Sequence, residues 1–295
     1  MATVVPKYSV RKASRADVVA IKNLTDIDEW EIPLDLIYCT FDMDSRAWFV
    51  AASDAGEILA CRVLAFYIEK TVAGGIYLVR KDLRGKGIGR DVNLQSLKAV
   101  GDANIVISAT FVNIYDTHGF TFYYDVHQKR GPAEVILGAI PDEEASPEIS
   151  IVPFEGSMFT ELKAYDENVC ESERDYFFKN WIINRAKHIL IARLHSGRVV
   201  GYGCLGVTEY SNEIAPLYAD SDFIAWALLK GLLQHLNPKD TVQMFVISEN
   251  KAMMGIIGKL PLANVFTLHK MYTKKRVPET LERLYSLSAI SLSVI

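Results

Sequence analysis

One short run constrains the fold of this chain more than any other. Arg84-Gly85-Lys86-Gly87-Ile88-Gly89 sets three glycines on alternate positions between a strand pattern and a helix pattern. Ahead of it, Gly74-Gly75 introduces an extended run, Ile76–Val79. Behind it, Arg90–Val100 reads as a helix, with Ile88, Val92 and Ala99 on one side and Leu94, Leu97 and Val100 widening the arc. Such a helix is packed rather than solvated. The next run, Ile105–Ala109, is apolar on both faces at Ile105-Val106-Ile107, as in a strand covered on both sides. Strand, loop, helix, strand in this order implies a parallel pair joined by a crossover helix.

At 295 residues the chain exceeds the usual size of one core, so two domains are expected. Tyr8–Ala13 reads as a first strand. Arg15–Trp30 reads as a helix, with Ser14 as N-cap and Asp17 as its capping-box acid. Pro33 opens a short helix through Tyr38, and Ala47–Ser53 with Glu57–Lys70 forms a hairpin about Asp54-Ala55-Gly56. Thr121–Val126 and Ala133–Leu137 are β-rich. Pro141–Ser150, acidic and proline-bearing, reads as a linker. Beyond it the order begins again. Phe159–Tyr165 and Arg174–Trp181 look helical, Ile189–Leu194 and Arg198–Val207 form a second hairpin, Ser221–Leu236 is an apolar helix and Val242–Ser248 a strand. The expectation is a degenerate structural repeat: a domain at 1–140, a linker at 141–150 and a second domain at 151–295.

Composition removes several function classes. A net charge of −4 supplies no general basic field for nucleic acid or an anionic membrane. No run approaches the ~18 apolar residues of a membrane span. The basic residues Lys7, Arg11, Lys12 and Arg15 interrupt any apolar leader, so a cytoplasmic protein is expected. Cys39, Cys61, Cys170 and Cys204 form no CxxC pair, and the six histidines show no ligand spacing. Neither a disulfide framework nor a metal site is expected.

The glycine loop suits a pyrophosphate. Glycine removes Cβ where the backbone must turn and approach a ligand, and successive N–H groups together with the helix start attract anionic oxygens. Arg84, Lys86 and Arg90 add cations. A Walker A loop would need Ser or Thr after Lys86, where Gly87 stands; a dinucleotide fingerprint would need GxGxxG, one residue longer.

The remaining pattern, Arg-Gly-x-Gly-x-Gly after a strand, resembles motif A of the GNAT superfamily of N-acetyltransferases. Tyr115-Asp116-Thr117-His118-Gly119-Phe120 looks like that family's YxxxGF segment, with Asn113 just ahead of it. The resemblance covers roughly residues 8–135. It implies an α/β fold of α+β mixed-sheet type: tandem GNAT-like domains, each a mostly antiparallel twisted sheet with a central splayed parallel pair and flanking helices. It also implies acetyl-CoA as cosubstrate, without a metal. Its pyrophosphate would lie on Arg84, Gly85, Lys86, Gly87, Ile88, Gly89 and Arg90, with Asn113 beside the cofactor. The pantetheine arm would lie along Ile76–Val79, including Tyr77, Leu78 and Val79, and the N–H near Tyr77 or Leu78 would polarise the thioester carbonyl. Tyr115 would be the general acid that protonates the leaving thiolate. The family's general-base Glu has no counterpart in Thr71–Ile76; Glu69 is the nearest acid, with Asp42, Asp44 and Glu31 as others.

The second half resembles the C-terminal GNAT-like domain of two-domain acetyltransferases, because no RGxGxG follows Ile214–Asp220. Asp220 and Asp222 would repel a phosphate there. The implied activity is transfer of an acetyl group to an amine by direct attack in a ternary complex. The alternative is a non-catalytic acyl-CoA-binding or regulatory module, kept open by the missing strand carboxylate. The acceptor is not legible. The acids around residues 26–44 suit a cationic amine, and a solvated helix face accounts for them equally well.

Overall fold

Ser14 and Asp17 start the first helical segment as their spacing predicts: the Ser14 N–H and hydroxyl each donate to Asp17 Oδ2 at 2.7 Å. This is a computed structural model, and it describes residues 4–68, 70–116, 119–141, 148–277 and 279–289. The first elements are β1 (Tyr8–Lys12), α1 (Val18–Ile27), α2 (Leu34–Met43), β2 (Phe49–Ser53), β3 (Ile58–Ile68), β4 (Thr71–Val79), α3 (Ile88–Val100) and β5 (Asn104–Ala109). Next come α4 (Val112–Asp116), β6 (Thr121–Pro132) and α5 (Ala133–Leu137). The order then recurs as β7 (Ile149–Pro153), α6 (Phe159–Cys170), α7 (Asp175–Phe177, running into a π-helical turn at Phe178–Ile183), β8 (His188–Leu194), β9 (Val199–Val207) and β10 (Asn212–Ala219). It continues through α8 (Asp222–Leu233), β11 (Thr241–Ile247), α9 (Lys251–Ile257), β12 (Ala263–Tyr272) and β13 (Leu284–Ser286).

The described residues divide between two units, Met1–Ser108 with Tyr272–Lys274, and Ala109–Met271 with Lys275–Ile290. In unit 1, β1, β2, β3 and β4 pair antiparallel in order, and β5 pairs parallel with β4. Ile88 and Val92 of α3 pack on Ala51, Leu59 and Ala60 of the sheet. In unit 2, β7, β8, β9 and β10 pair antiparallel, β11 joins β10 parallel, and β6 joins β11 antiparallel. Its core is dominated by α8, whose Ile224, Trp226, Leu228, Leu229 and Leu232 meet Leu205, Ile214 and Leu217 of the sheet. Full burial of one such side chain contributes roughly 1.5–3 kcal/mol.

Each unit is completed by chain from the other half of the sequence. β6 fills the edge of β11, with Val126↔Ile247 through Pro132↔Thr241 as register partners. In unit 1, Ile105 exchanges two hydrogen bonds with Thr273, its N–H donating to the Thr273 hydroxyl (2.8 Å) and its carbonyl accepting from the Thr273 N–H (3.0 Å). Lys274 N–H donates to Asn104 Oδ1 at 3.1 Å.

Two local readings change. Gly74-Gly75 does not lead into β4 but lies inside it, because the strand turns back from β3 directly after Lys70. Ala133–Leu137 is helical, not extended. Pro132 sets its start, and the unpaired N–H groups of Ala133 and Glu134 donate to Asp240 O and Pro238 O, both at 2.9 Å.

Candidate functional site: the glycine loop and the splayed strands of unit 1

The β4–β5 ladder runs from Thr71↔Asn104 to Gly74↔Ile107 and stops, while β4 continues to Val79. A bulge marks the point where they part: Val63 of β3 faces two residues of β4, Gly75 and Ile76, between the pairs Leu64↔Gly74 and Arg62↔Tyr77. An extra residue bends a strand and sharpens its twist, which carries β4 away from a parallel neighbour. Gly74 is needed at the last rung, because a Cβ there would stand 2.6 Å from Ile107 Cγ2. From Tyr77 to Val79, β4 remains paired with β3 on its other edge.

That strand delivers the chain to the glycine loop. Gly85 and Gly87 have φ of +74° and +88°, the left-handed region that favours glycine, and a Cβ on either would meet nothing within 4 Å. Gly89 serves a different purpose. Its Cβ would lie 2.9 Å from Val79 Cγ2 and 3.1 Å from the Tyr77 hydroxyl, so its absence lets α3 sit directly on β4. The first intrahelical bond of α3 runs from Asp91 N–H to Gly87 O, and Gly87 has no side chain with which to cap the N–H groups of the first turn, at 88–90. Those donors and the positive end of a 13-residue helix form a seat for anionic oxygens. The loop thus fits a pyrophosphate: open space at Gly85 and Gly87, and backbone donors at its base.

The cations are placed unevenly. Lys86 and Arg90 are exposed beside the helix start. Arg84 turns back, its Nε donating to Val79 O at 3.0 Å and its Nη2 to the Asp28 carboxylate. Lys81 joins that contact, donating to Ile27 O at 2.7 Å and standing 3.5 Å from Asp28. Asp28, only 10% exposed, thereby ties the end of α1 to the loop. Spacing offers no sign of it, since 56 residues separate the partners. Tyr8 donates to Asp91 of α3 at 2.6 Å, and that bond raises the phenol's pKa first, with burial adding to it.

Other acids expected near an acceptor are engaged locally. Asp42 accepts from Arg15 at 2.9 Å, Asp44 from Arg46 at 2.6 Å and Asp26 from Lys22 at 2.5 Å. Glu69 lies outside the described residues, as do Thr117 and His118 and the linker residues 142–147. Tyr115 and Asn113 sit on α4, in unit 2, whereas the loop and Tyr77–Val79 are in unit 1. Tyr115 is half-buried, its ring edge-on to Phe120 at 5.5 Å, and Phe120 N–H closes the turn on Tyr115 O at 3.2 Å. A cavity of about 700 Å³ in unit 1 is a separate feature: Lys70, Val100 and Asp102 in its lining place it at the start of β4 and the end of α3, opposite the loop. Among the described residues no group of three or more His, Cys, Asp or Glu could hold a metal ion, and no helix is long and apolar enough to cross a membrane.

Comparison with known proteins agrees with this fold. Residues 162–286 match the family model of the acetyltransferase (GNAT) domain, a match running from α6 to β13 on the half without the glycine loop. No curated protein matches the chain. Among solved structures, a candidate acetyltransferase of Pyrococcus horikoshii superposes with a TM-score of 0.74 at 17% identity, covering 98% of this chain and 97% of that one. A GCN5-related N-acetyltransferase from Sphaerobacter thermophilus gives 0.62 at 14% identity, covering 92% and 96%. A tandem GNAT protein from the clavulanic acid biosynthesis pathway gives 0.65 at 12% identity, covering 90% and 97%. At such identities the likeness is one of fold, and it extends over both halves. Residues 162–286 thus match the GNAT acetyltransferase family, and the chain as a whole has the tandem, two-domain GNAT fold.

Proposed function

We propose that the chain transfers an acetyl group from acetyl-CoA to an amine, with the acyl-CoA held by unit 1. One observation carries the reading: the β4–β5 ladder ends at Gly74↔Ile107 while β4 runs on to Val79 and into a glycine loop at the start of a helix. When bound, acetyl-CoA supplies an activated acyl thioester. The N–H groups of Gly85–Gly89 bind its pyrophosphate, with Lys86 and Arg90 screening the charge. The edge of β4 at Ile76–Val79 pairs with the pantetheine amides. The N–H near Tyr77 or Leu78 donates to the carbonyl oxygen and stabilises negative charge as it develops there. Tyr115 protonates the leaving CoA thiolate, and Glu69 is the candidate base for the amine. Holding both reactants in one ternary complex makes proximity a large part of the rate.

A second reading, a non-catalytic acyl-CoA-binding module, draws support from Asp42 and Asp44, whose carboxylates are occupied by Arg15 and Arg46. Calorimetric titration with acetyl-CoA tests both, since absence of binding sinks both. Transfer to any member of a broad amine panel supports the enzyme, and binding without transfer supports the module. Tyr115→Phe should lower turnover at least tenfold with little change in acetyl-CoA affinity. An unchanged rate removes Tyr115 from the mechanism.

A further inference from the structure

Unit 2 repeats the splay of unit 1 and then fills it. The parallel ladder of β10 and β11 ends at Ile214↔Met244, while β10 runs on to Ala219. The same bulge marks the parting, with Cys204 of β9 facing Ala215 and Pro216 between the pairs Leu205↔Ile214 and Gly203↔Leu217. In unit 1 the described partners of β4 are β3 and β5 alone. In unit 2 the edge of β10 beyond the bulge is taken by β13, with Leu217 opposite Ser286 and Tyr218 opposite Leu284.

The fit of this segment is detailed. The Ser286 hydroxyl donates to Ile214 O at 2.7 Å and accepts from Phe245 N–H at 2.9 Å, so one side chain ties both arms of the splay where they separate. Leu287 N–H donates to Phe245 O at 2.9 Å, and Leu284 O accepts from Asn250 Nδ2 at 3.1 Å. Tyr285 reaches the first turn of α8 and donates to Asp222 at 2.5 Å. Leu284, Tyr285, Ser286 and Leu287 are all buried.

We infer that residues 284–287 occupy, in unit 2, the channel that an acyl-CoA pantetheine arm would take, so that the chain binds one acyl-CoA and carries a peptide of its own in the second channel. For the nature of the channel this rests on the function proposed for unit 1. A pantetheine arm and a peptide offer the same chemistry to a strand edge, amide N–H and C=O groups on a flexible chain. An edge whose donors and acceptors are already paired cannot serve a second ligand. The anion seat is altered as well. At the head of α8 stand Asp220 and Asp222 in place of a glycine loop, with Asp220 engaged by Arg283 at 2.5 Å and by the Tyr165 hydroxyl at 3.0 Å. Ser221 caps the helix through Ile224 N–H. Both determinants of acyl-CoA binding are thus replaced together.

The test combines calorimetry with hydrogen exchange on the full chain. The expected result is one acetyl-CoA per wild-type chain, none for Gly87→Glu, and slow amide exchange at 284–287 that saturating acetyl-CoA leaves unchanged. Two acetyl-CoA per chain, or faster exchange at 284–287 on adding acetyl-CoA, would overturn the inference. Should Gly87→Glu not fold, the wild-type stoichiometry and exchange decide alone. A wild type that binds no acetyl-CoA sinks the reading of unit 1 instead. In that case exchange still judges the plug: protected amides at 284–287 support it and rapidly exchanging ones overturn it.

Discussion

Asp17 shows how much one short-range contact can hold. Arg11 grips its carboxylate with two hydrogen bonds of 2.7 and 2.9 Å, and the Ser14 N–H and hydroxyl add two more. The Arg11 contact first, and the Ser14 bonds after it, lower its pKa to about 2 against an opposing contribution from burial. A depressed carboxylate stabilises the fold above its unfolded pKa of about 3.9, and that stability is lost as pH falls toward 2. Asp17→Asn should therefore cost about 1–2 kcal/mol at pH 7, discounted for the partial exposure of Arg11, and should flatten the acid limb between pH 4 and 2. Urea midpoints at pH 7 and pH 3 check this, and equal losses at both would refute the linkage. This capping pair was legible because its residues lie three apart. Asp28 and Arg84 were not legible, because only the tertiary fold brings together the end of α1 and the loop.

At the scale of elements, the decisive feature is the bulge that parts two parallel strands. A glycine pair inside an apolar run reads equally well as a turn at a strand's entrance or as a bulge within it. The Gly74–Ile107 approach distinguishes the two readings. Gly74→Ala should destabilise unit 1 by about 1–3 kcal/mol by forcing Ile107 aside. Adding Ile107→Ala should recover part of that loss, a coupling of about 1 kcal/mol in a double-mutant cycle. Strict additivity of the two would mean the strands do not meet there. The loop–helix unit and the repeat were legible from local periodicity. The filling of the second splay was not, because Leu284–Ser286 is too short to announce itself as a strand.

At the scale of the whole chain, the exchange of segments has a direct test. Unit 1 needs Thr273 and Lys274 against Ile105 and Asn104, and β6 needs β11. A fragment of residues 1–140 should lack a cooperative urea transition, whereas the full chain unfolds cooperatively. A fragment with a sigmoidal transition and the full chain's acetyl-CoA affinity would refute the requirement. Pairing of β6 with β11 escaped the sequence because an alternating strand carries no record of which neighbour it will meet.

The four cysteines, which form no CxxC pair, have a practical consequence. All are buried and free, Cys39 and Cys61 in unit 1 and Cys170 and Cys204 in unit 2. Burial pushes the Cys39 and Cys61 thiols up to about 12 and raises the other two as well. Only the thiolate alkylates, so the native chain should be silent toward iodoacetamide at pH 8 until a unit opens. The chain therefore carries two chemical stopwatches in each half. Mass spectrometry of pulse-labelled peptides would time the opening of each half separately, with no reporter added.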